Sequence, residues 1–120
     1  MNEPAASTRA GRIATTPVPP YYAVIFTSRR TEGDRGYAEM AERMAVLAAR
    51  QPGFLGLESV RGGDGLGVTV SSWESREAIV RWKAESEHRV AQETGKAVWY
   101  GDYFLRVAKV ERDYGKSVQR

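Results

Sequence analysis

Residues 54–73 read FLGLESVRGGDGLGVTVSSW. The two halves of this stretch, 54–61 and 66–73, carry the apolar, aromatic and β-branched side chains that are typical of strands. The GGDG between them supplies glycines for a tight reversal of the chain, so the stretch predicts a β-hairpin. A phosphate-binding loop is not predicted, because such a loop joins a strand to a helix whereas GGDG joins two strands.

The chain before this hairpin predicts a strand and a helix. Residues 21–28 read YYAVIFTS and are mostly aromatic and β-branched, which favours a strand. Residues 36–50 place apolar side chains at helical spacing with charges between them. Pro52 and Gly53 then end the predicted helix.

The chain after the hairpin predicts a second helical region and a long final strand. Ser75 is a good N-cap, and Trp82 lies on the predicted buried face of the helix that follows. A further helical stretch is expected over residues 85–94, ending at Gly95, and residues 99–112 have the pattern of a strand. The order β-α-β-β-α-β predicts an α+β, ferredoxin-like domain with a four-stranded antiparallel sheet and both helices on one face.

The chain of 120 residues has room for one domain. Residues 1–19 are rich in Ala, Ser, Thr and Pro, which predicts a disordered N-terminal arm. Residues 20–115 are then the domain, and residues 116–120 are a polar tail.

The composition excludes several classes of function. The chain has no cysteine and one histidine, His88, and its acidic residues lack metal-loop spacing, so no metal site is predicted. The net charge of +3 comes from Lys and Arg scattered among acidic residues, which does not favour nucleic-acid binding. No apolar run approaches the ~20 residues of a membrane helix, and no secretory signal pattern is recognised, so a cytoplasmic protein without a membrane partner is expected.

Both faces of the predicted sheet are apolar. In residues 21–28 and in residues 99–112, apolar side chains occupy odd and even positions alike. A sheet with one face in water alternates apolar with polar side chains, and a few hundred Å² of exposed apolar surface would forgo several kcal/mol at ~25 cal/mol per Å². A homodimer that packs sheet against sheet is therefore expected, and the long final strand is expected to reach the partner's sheet.

Four segments of the chain form a recognisable pattern. They are PGFLGLESV (52–60), VSSWES (70–75), REAIVRWKAESEHRVAQ (76–92) and GKAVWYGDYFLRVAKV (95–110). Together they resemble the antibiotic biosynthesis monooxygenase superfamily, whose members are dimeric α+β barrels. The most specific part of the resemblance is a strand that ends in Trp-Glu-Ser and is followed by a helix with a second tryptophan.

The resemblance implies a pocket between the helices and the sheet, and it leaves three functions open. One is a cofactor-independent monooxygenase that oxidises an electron-rich aromatic molecule, a phenol or hydroquinone, with O2. Another is a haem-binding or haem-degrading protein in which His88 is the iron ligand. The third is a non-catalytic dimer that binds a small molecule or a partner, because a fold alone does not determine a function.

Trp73, Thr69 and His88 are the candidate catalytic residues. Trp73 matches the family's strand-terminal tryptophan, which the resemblance implies holds the substrate; alternatively it is a core residue that joins the second helix to the sheet. The only asparagine is Asn2, so Thr69 offers a hydroxyl where the resemblance implies an asparagine in quinone-forming members. His88 is either a general base, the haem ligand, or a surface residue of the polar run KAESEHR.

Phe26, Trp82, Tyr103 and Arg106 are the candidate substrate-binding residues. The three aromatic side chains suit a flat aromatic ligand, and they suit a hydrophobic core or a dimer interface equally well. Arg106 alternates with Phe104 in the last strand, so it points either toward the cavity or toward the interface. It would bind an anionic substrate in the first case and a carboxylate of the partner in the second.

Overall fold

The computed structural model describes residues 13–33, 36–93 and 100–116, except for the side chains of residues 88 and 90–93. Its elements are β1 (Tyr21–Arg30), α1 (Tyr37–Ala49), β2 (Phe54–Arg61), β3 (Leu66–Trp73), α2 (Arg76–Glu93) and β4 (Tyr100–Val110). Within these residues the strands form an antiparallel sheet in the order β2-β3-β1-β4. This is the ferredoxin-like arrangement, so the predicted α+β fold is confirmed.

The central hairpin has the predicted bounds. β2 and β3 begin and end where the sequence pattern placed them. In the turn between them, the Gly62 N–H donates to the Leu66 carbonyl at 2.9 Å and the Gly65 N–H donates to the Gly62 carbonyl at 3.0 Å. These bonds close the GGDG turn and fix the register of the two strands.

One continuous helix replaces the two helical stretches that the sequence predicted after β3. The helix α2 runs through the polar run KAESEHR without a break. Ion pairs at i,i+4 spacing form along this run, between Lys83 and Glu87 at 3.0 Å and between Arg89 and Glu85 at 3.6 Å. A solvent-facing helix needs no continuous apolar stripe where such pairs support it. The spacing of apolar residues therefore predicted two separate helical stretches where the structure has one helix.

The start of α2 is capped as predicted. The Ala78 N–H donates to the Ser75 hydroxyl oxygen at 3.1 Å, which satisfies one of the free N–H groups of the first helical turn. The predicted end at Gly95 and the predicted first residue of the last strand, Trp99, lie outside the described residues.

The hydrophobic core lies between the helices and one face of the sheet, called here the helix-side face. α1 packs over β2, and α2 packs over β3. The buried core residues are Val24, Trp73, Ala78 and Ile79, with the partly buried Tyr22, Phe54 and Trp82 packed against them. Because directly paired residues of antiparallel strands share a face, the pairs Tyr22–Trp73 and Phe26–Thr69 assign all four residues to the helix-side face.

The other face of the sheet, called here the open face, is contacted by the segment that precedes β1. The Ala14 N–H donates to a Glu58 carboxylate oxygen at 2.9 Å, and a side chain on Gly56 would come within 2.9 Å of the Ala14 Cβ. The Thr16 hydroxyl donates to the Tyr21 hydroxyl at 3.0 Å. Part of the segment expected as an N-terminal arm thus lies against the β2 half of the open face.

The strand β4 exposes apolar side chains on both faces of the sheet. On the open face Phe104 is 59% exposed, and on the helix-side face Leu105 is 47% and Val107 is 55% exposed. Residues outside the chain, or outside its described part, are needed to cover them. Neither helix of the described residues is long and apolar enough to cross a membrane.

Candidate functional site

Two clusters of aromatic rings lie on the helix-side face. In the first, Trp73 stacks on Trp82 with ring centroids 5.9 Å apart and an angle of 25° between the planes. Phe54 meets Trp73 edge-on at 5.3 Å. This cluster joins β2, β3 and α2, and the stacked and edge-on geometries are those that aromatic pairs prefer.

Trp73 is the buried floor of the first cluster. It is 0% exposed, and its Nε1–H donates to the Ser71 hydroxyl oxygen at 2.9 Å. Its polar atom is therefore satisfied inside the core, as a buried indole requires. Trp82 is the partly buried ring of the stacked pair, so it is the one that retains a surface for a ligand.

The second cluster lies where β1 meets β4. Phe26 contacts Tyr100 edge-on at 5.4 Å and Tyr103 at 5.8 Å. Tyr100 in turn contacts Tyr37 of α1 edge-on at 5.8 Å. The rings form an open aromatic wall, because Tyr103 is 39% exposed on the same side of the sheet.

Thr69 lies on the same face as both clusters. It pairs directly with Phe26 on one side and with Ser59 on the other. The Thr69 and Ser59 hydroxyl oxygens are 2.8 Å apart, and either atom can be the donor. Four residues of strand separate Thr69 from Trp73, which is about 13 Å at ~3.3 Å per residue. The hydroxyl pair therefore adjoins the second cluster more closely than the first.

The structure places Arg106 away from this group, and it does not describe the side chain of His88. Arg106 pairs with Ile25 and lies on the open face, where its guanidinium sits 4.5 Å from the centre of the Phe104 ring. The backbone of His88 belongs to α2, and its side chain is outside the described set. Of the seven candidate residues, the structure brings five to the helix-side face: Thr69, Trp73, Phe26, Trp82 and Tyr103.

Sequence reasoning missed a basic and phenolic cluster at the far end of the second aromatic group. Its central residue is Arg61, the last residue of β2. The Arg61 guanidinium donates to the Ser28 hydroxyl oxygen at 2.7 Å, to the Ser28 carbonyl at 3.1 Å and to the Gly65 carbonyl. It also reaches the Tyr37 hydroxyl at 3.4 Å. Arg61 thus spans from β2 across β3 to β1 and to α1.

Gly67 makes room for this arrangement. A Cβ on Gly67 would lie 2.7 Å from the Arg61 Cζ and 2.9 Å from the Val60 carbonyl oxygen, both closer than real contacts allow. Because Gly67 lacks a side chain, the guanidinium can lie flat across β3. The hairpin register, which pairs Arg61 with Gly67, is the sequence signal that points to this contact.

Two tyrosines and a second arginine complete the cluster. The Tyr100 hydroxyl donates to the Tyr37 hydroxyl at 3.5 Å, and the Arg30 guanidinium lies 3.8 Å from the centre of the Tyr37 ring. Burial raises the pKa of the Tyr100 phenol, and its hydrogen bond to Tyr37 and the nearby Tyr37 charge raise it further, while Arg61 and Arg30 oppose the shift. Tyr100 is therefore neutral and able to donate a hydrogen bond around pH 7.

Two hollows in the surface of the described residues lie away from these clusters. A cavity of about 180 Å³ sits on the open face beneath the segment that precedes β1. A cleft of about 310 Å³ lies beside α1, lined in part by Met44, Arg50 and Arg89. The aromatic clusters line an open surface instead, whose exposed edge is β4.

Two kinds of ligand site concern the described side chains, one for a metal ion and one for a haem iron. In this part of the chain no three His, Cys, Asp or Glu side chains lie close enough together to hold a metal ion. The one histidine that would serve as an axial haem ligand, His88, has no described side chain.

Comparison with known proteins assigns this architecture to a family. The sequence profile of the antibiotic biosynthesis monooxygenase family matches residues 20–94, from just before β1 to just after α2. The chain belongs to this family. The resemblance predicted from the four sequence segments is thereby confirmed.

The sequence of the chain is similar to those of two known proteins. YqjZ of Bacillus subtilis (strain 168), itself uncharacterized, is 59% identical over 100 residues, which is 83% of this chain and 88% of YqjZ. Jasmonate monooxygenase ABM of Pyricularia oryzae is 31% identical over 94 residues, which is 74% of this chain. The matched part is 43% of the length of that second protein.

Solved structures of the family share the fold of the chain. A variant of SnoaB, a cofactor-independent oxygenase from Streptomyces nogalater, superimposes with a TM-score of 0.65 at 17% identity, covering 78% of this chain and 95% of SnoaB. A variant of MhuD with two manganese protoporphyrin IX molecules per active site superimposes with a TM-score of 0.60 at 24% identity, covering 78% of this chain and 98% of MhuD. The same fold therefore occurs in a cofactor-independent oxygenase and in a protein that binds a porphyrin, so the function of a chain with this fold depends on its site.

Proposed function

We propose that this protein is a cofactor-independent monooxygenase that oxidises an electron-rich aromatic molecule, a phenol or hydroquinone, with O2. The observation that carries the proposal is the open aromatic wall of the helix-side face with the Thr69–Ser59 hydroxyl pair beside it. Membership of the antibiotic biosynthesis monooxygenase family supports the reaction class. Aromatic walls with one or two placed hydrogen-bonding groups are what a flat, weakly polar ligand requires.

The substrate itself supplies the electrons in this chemistry. A phenol that loses its hydroxyl proton becomes an electron-rich phenolate, which O2 can oxidise. One oxygen atom enters the ring as a quinone carbonyl and the other leaves as water, so phenol and O2 give quinone and water in balance. The protein's task is to bind the phenolate, orient it and exclude bulk water.

Each described residue of the site has a defined task in the proposal. Phe26 and Tyr103 contact the faces of the substrate ring, and Trp82 bounds the site from α2. Trp73 is a positioning residue, because it is fully buried and stacks beneath Trp82. Thr69 donates a hydrogen bond to the substrate oxygen while Ser59 fixes the orientation of its hydroxyl.

His88 and Arg106 have separate tasks in the proposal. His88 is the general base that removes the phenolic proton, because its unperturbed pKa lies near neutrality. Arg106 lies on the open face, so its task is at the interface between two copies of the chain.

The working unit in this proposal is a homodimer. β4 leaves Phe104, Leu105 and Val107 about half exposed, on both faces of the sheet. A second copy that covers the open face removes part of this apolar surface from water, and two-fold dimers are the commonest homo-oligomers. The mass in solution at micromolar concentration, measured by light scattering, is expected to be twice that of the chain. A monomeric mass would contradict the dimer.

The function is tested by ligand binding followed by oxygen uptake. Purified protein is screened by thermal shift against hydroquinones, polycyclic phenols and hemin, because a ligand at one hundred times its Kd stabilises by ~2.7 kcal/mol. Phenolic compounds that raise the melting temperature are then assayed with an oxygen electrode. We expect uptake with at least one of them. Binding of hemin alone, with a Soret shift that His88→Ala abolishes, would replace this proposal with haem binding.

A matched pair of variants tests the hydroxyl. Thr69→Val removes the hydroxyl at nearly constant volume, and Thr27→Val makes the same change on the open face, where Thr27 pairs with Phe104. We expect kcat for oxygen uptake to fall at least tenfold in the first variant and to stay within twofold in the second. Equal kcat in both variants would remove Thr69 from the mechanism. Binding of phenols without oxygen uptake in the unmodified protein would indicate a non-catalytic binding protein.

A further inference from the structure

Arg61 is a partly buried positive charge whose partners are all neutral. Its hydrogen-bond acceptors are a serine hydroxyl, a tyrosine hydroxyl and two backbone carbonyls. Among the described residues no carboxylate forms an ion pair with it. A charge taken out of water is costly unless an opposite charge accompanies it, so this position favours an anion from outside the chain.

The guanidinium is held in place before any ligand arrives. Gly67 leaves the space in which it lies, and Ser28 accepts two hydrogen bonds from it, at 2.7 Å and 3.1 Å. A preorganised cation loses little conformational entropy on binding an anion. An arginine that only joined strands would need no cluster of phenols beside it.

The contacts that join Arg61 and the Tyr100 hydroxyl to the Tyr37 hydroxyl are long. The contact from Arg61 to the Tyr37 hydroxyl is 3.4 Å, and that from the Tyr100 hydroxyl to the Tyr37 hydroxyl is 3.5 Å. Hydroxyl hydrogen bonds are usually about 2.7–2.8 Å long, so the Tyr100 hydroxyl has a weak acceptor in its present position. Because Tyr100 stays protonated, it can donate to a better acceptor.

The cluster is continuous with the aromatic wall of the proposed active site. Tyr100 contacts both Phe26 and Tyr103 through its ring, at 5.4 Å and 6.1 Å between centroids, and presents its hydroxyl toward Tyr37. One molecule can therefore reach both regions if it carries an anionic group beside an aromatic ring.

We propose that Arg61, Tyr37 and Tyr100 bind the carboxylate of an aromatic acid whose ring lies against Phe26 and Tyr103. This proposal deepens the proposed function, on which it rests, by naming the substrate class as a phenolic carboxylic acid. A planar carboxylate matches donors that come from a guanidinium and a phenol, because its two oxygens can accept from both at once.

The test compares two compounds that differ by one carboxylate, 1-hydroxy-2-naphthoate and 1-naphthol. Their Kd values are measured by calorimetry at pH 7 on the full chain. We expect the acid to bind at least tenfold more tightly than the naphthol. Arg61→Gln is expected to abolish this preference, whereas Arg81→Gln, which removes an exposed arginine from α2, is expected to preserve it.

Salt dependence and a second variant keep the test decisive if Arg61→Gln does not fold. Between 0.05 and 0.5 M salt, the preference of the unmodified protein for the acid is expected to fall severalfold, since the Debye length shortens with ionic strength. Tyr100→Phe is expected to reduce the preference about threefold to tenfold.

Two results would overturn the inference. The first is equal affinity of the unmodified protein for both compounds, including no binding of either. The second is an equal preference for the acid in Arg61→Gln and Arg81→Gln. If only the monooxygenase proposal fails, the acid would still bind with a preference that depends on Arg61, but no phenolic compound would cause oxygen uptake.

Discussion

Gly67→Ala is the substitution whose effect follows most directly from the structure. The added methyl would lie 2.7 Å from the Arg61 Cζ, 2.9 Å from the Val60 carbonyl oxygen and 3.0 Å from the Arg61 Nε. The guanidinium would have to leave its place on β3 and give up its hydrogen bonds to Ser28. Crowding of this kind costs ~1–3 kcal/mol, and the lost hydrogen bonds, discounted because Arg61 is partly exposed to water, cost ~1–2 kcal/mol more. A total of about 2–5 kcal/mol corresponds to a fall in Tm of roughly 8–20 °C.

A double-mutant cycle shows whether the added methyl of Gly67→Ala collides mainly with the Arg61 guanidinium or with the Val60 carbonyl oxygen. The free energy of unfolding is measured by urea denaturation for the unmodified protein, Gly67→Ala, Arg61→Ala and the double variant. If the methyl acts by displacing the guanidinium, Gly67→Ala costs at least ~1 kcal/mol less when Arg61 is already absent. Additivity within about 0.5 kcal/mol would refute this reasoning and assign the cost to Val60 alone. Gly101→Ala is the control, because its nearest obstacle is a carbonyl oxygen 3.9 Å away.

Two further predictions concern the aromatic residues. Trp73→Phe removes the Nε1–H that donates to the Ser71 hydroxyl oxygen and leaves a void beneath Trp82. We expect the free energy of unfolding, measured by urea denaturation, to fall by ~2–3 kcal/mol, and oxygen uptake per folded molecule to fall at least tenfold. Unchanged uptake would exclude Trp73 from positioning the substrate. Burial raises the folded-state pKa of Tyr100 above the ordinary tyrosine value of 10.0. The contribution of Tyr100 to stability is therefore complete below pH 10 and is lost as the pH rises above that value, where the unfolded chain alone releases the proton. Urea midpoints between pH 8.5 and 11.5 should therefore decline more steeply for the unmodified protein than for Tyr100→Phe, and parallel declines would contradict the assignment.

The sequence predicted the hairpin best because its signals are local. The GGDG turn and the strand patterns on either side define β2 and β3 without any information from the rest of the chain. α2 was harder, because KAESEHR has no apolar stripe, and only its ion pairs and tertiary context keep it helical. These local patterns were sufficient to predict the order of the strands and helices, and therefore the fold.

The site was only partly predictable, because the face on which a residue lies depends on long-range register. Arg106 sits in a strand that is apolar on both faces, so alternation could not place it, and its pairing with Ile25 decides that it faces away from Trp73. Arg61 stands at the end of a strand beside a turn, where a solvated arginine is the ordinary expectation. Arg61 donates hydrogen bonds to Ser28, which lies 33 residues earlier in the chain. No local sequence pattern predicts a contact at that separation.

The place of β1 in the sheet also has a consequence for how the chain folds during synthesis. β1 is made first yet lies in the interior of the sheet, between β3 and β4. Its residues 21–30 pair with residues 100–110, which leave the ribosome on the order of 4–16 s later at translation rates of ~5–20 residues per second. During that interval the hydrogen-bonding edge of an aromatic, β-branched strand stays unpaired, which is the form in which nascent chains associate with one another. Production at lower temperature or with chaperones that shield strand edges should therefore raise the soluble yield of this protein more than it would for a helical protein of the same size.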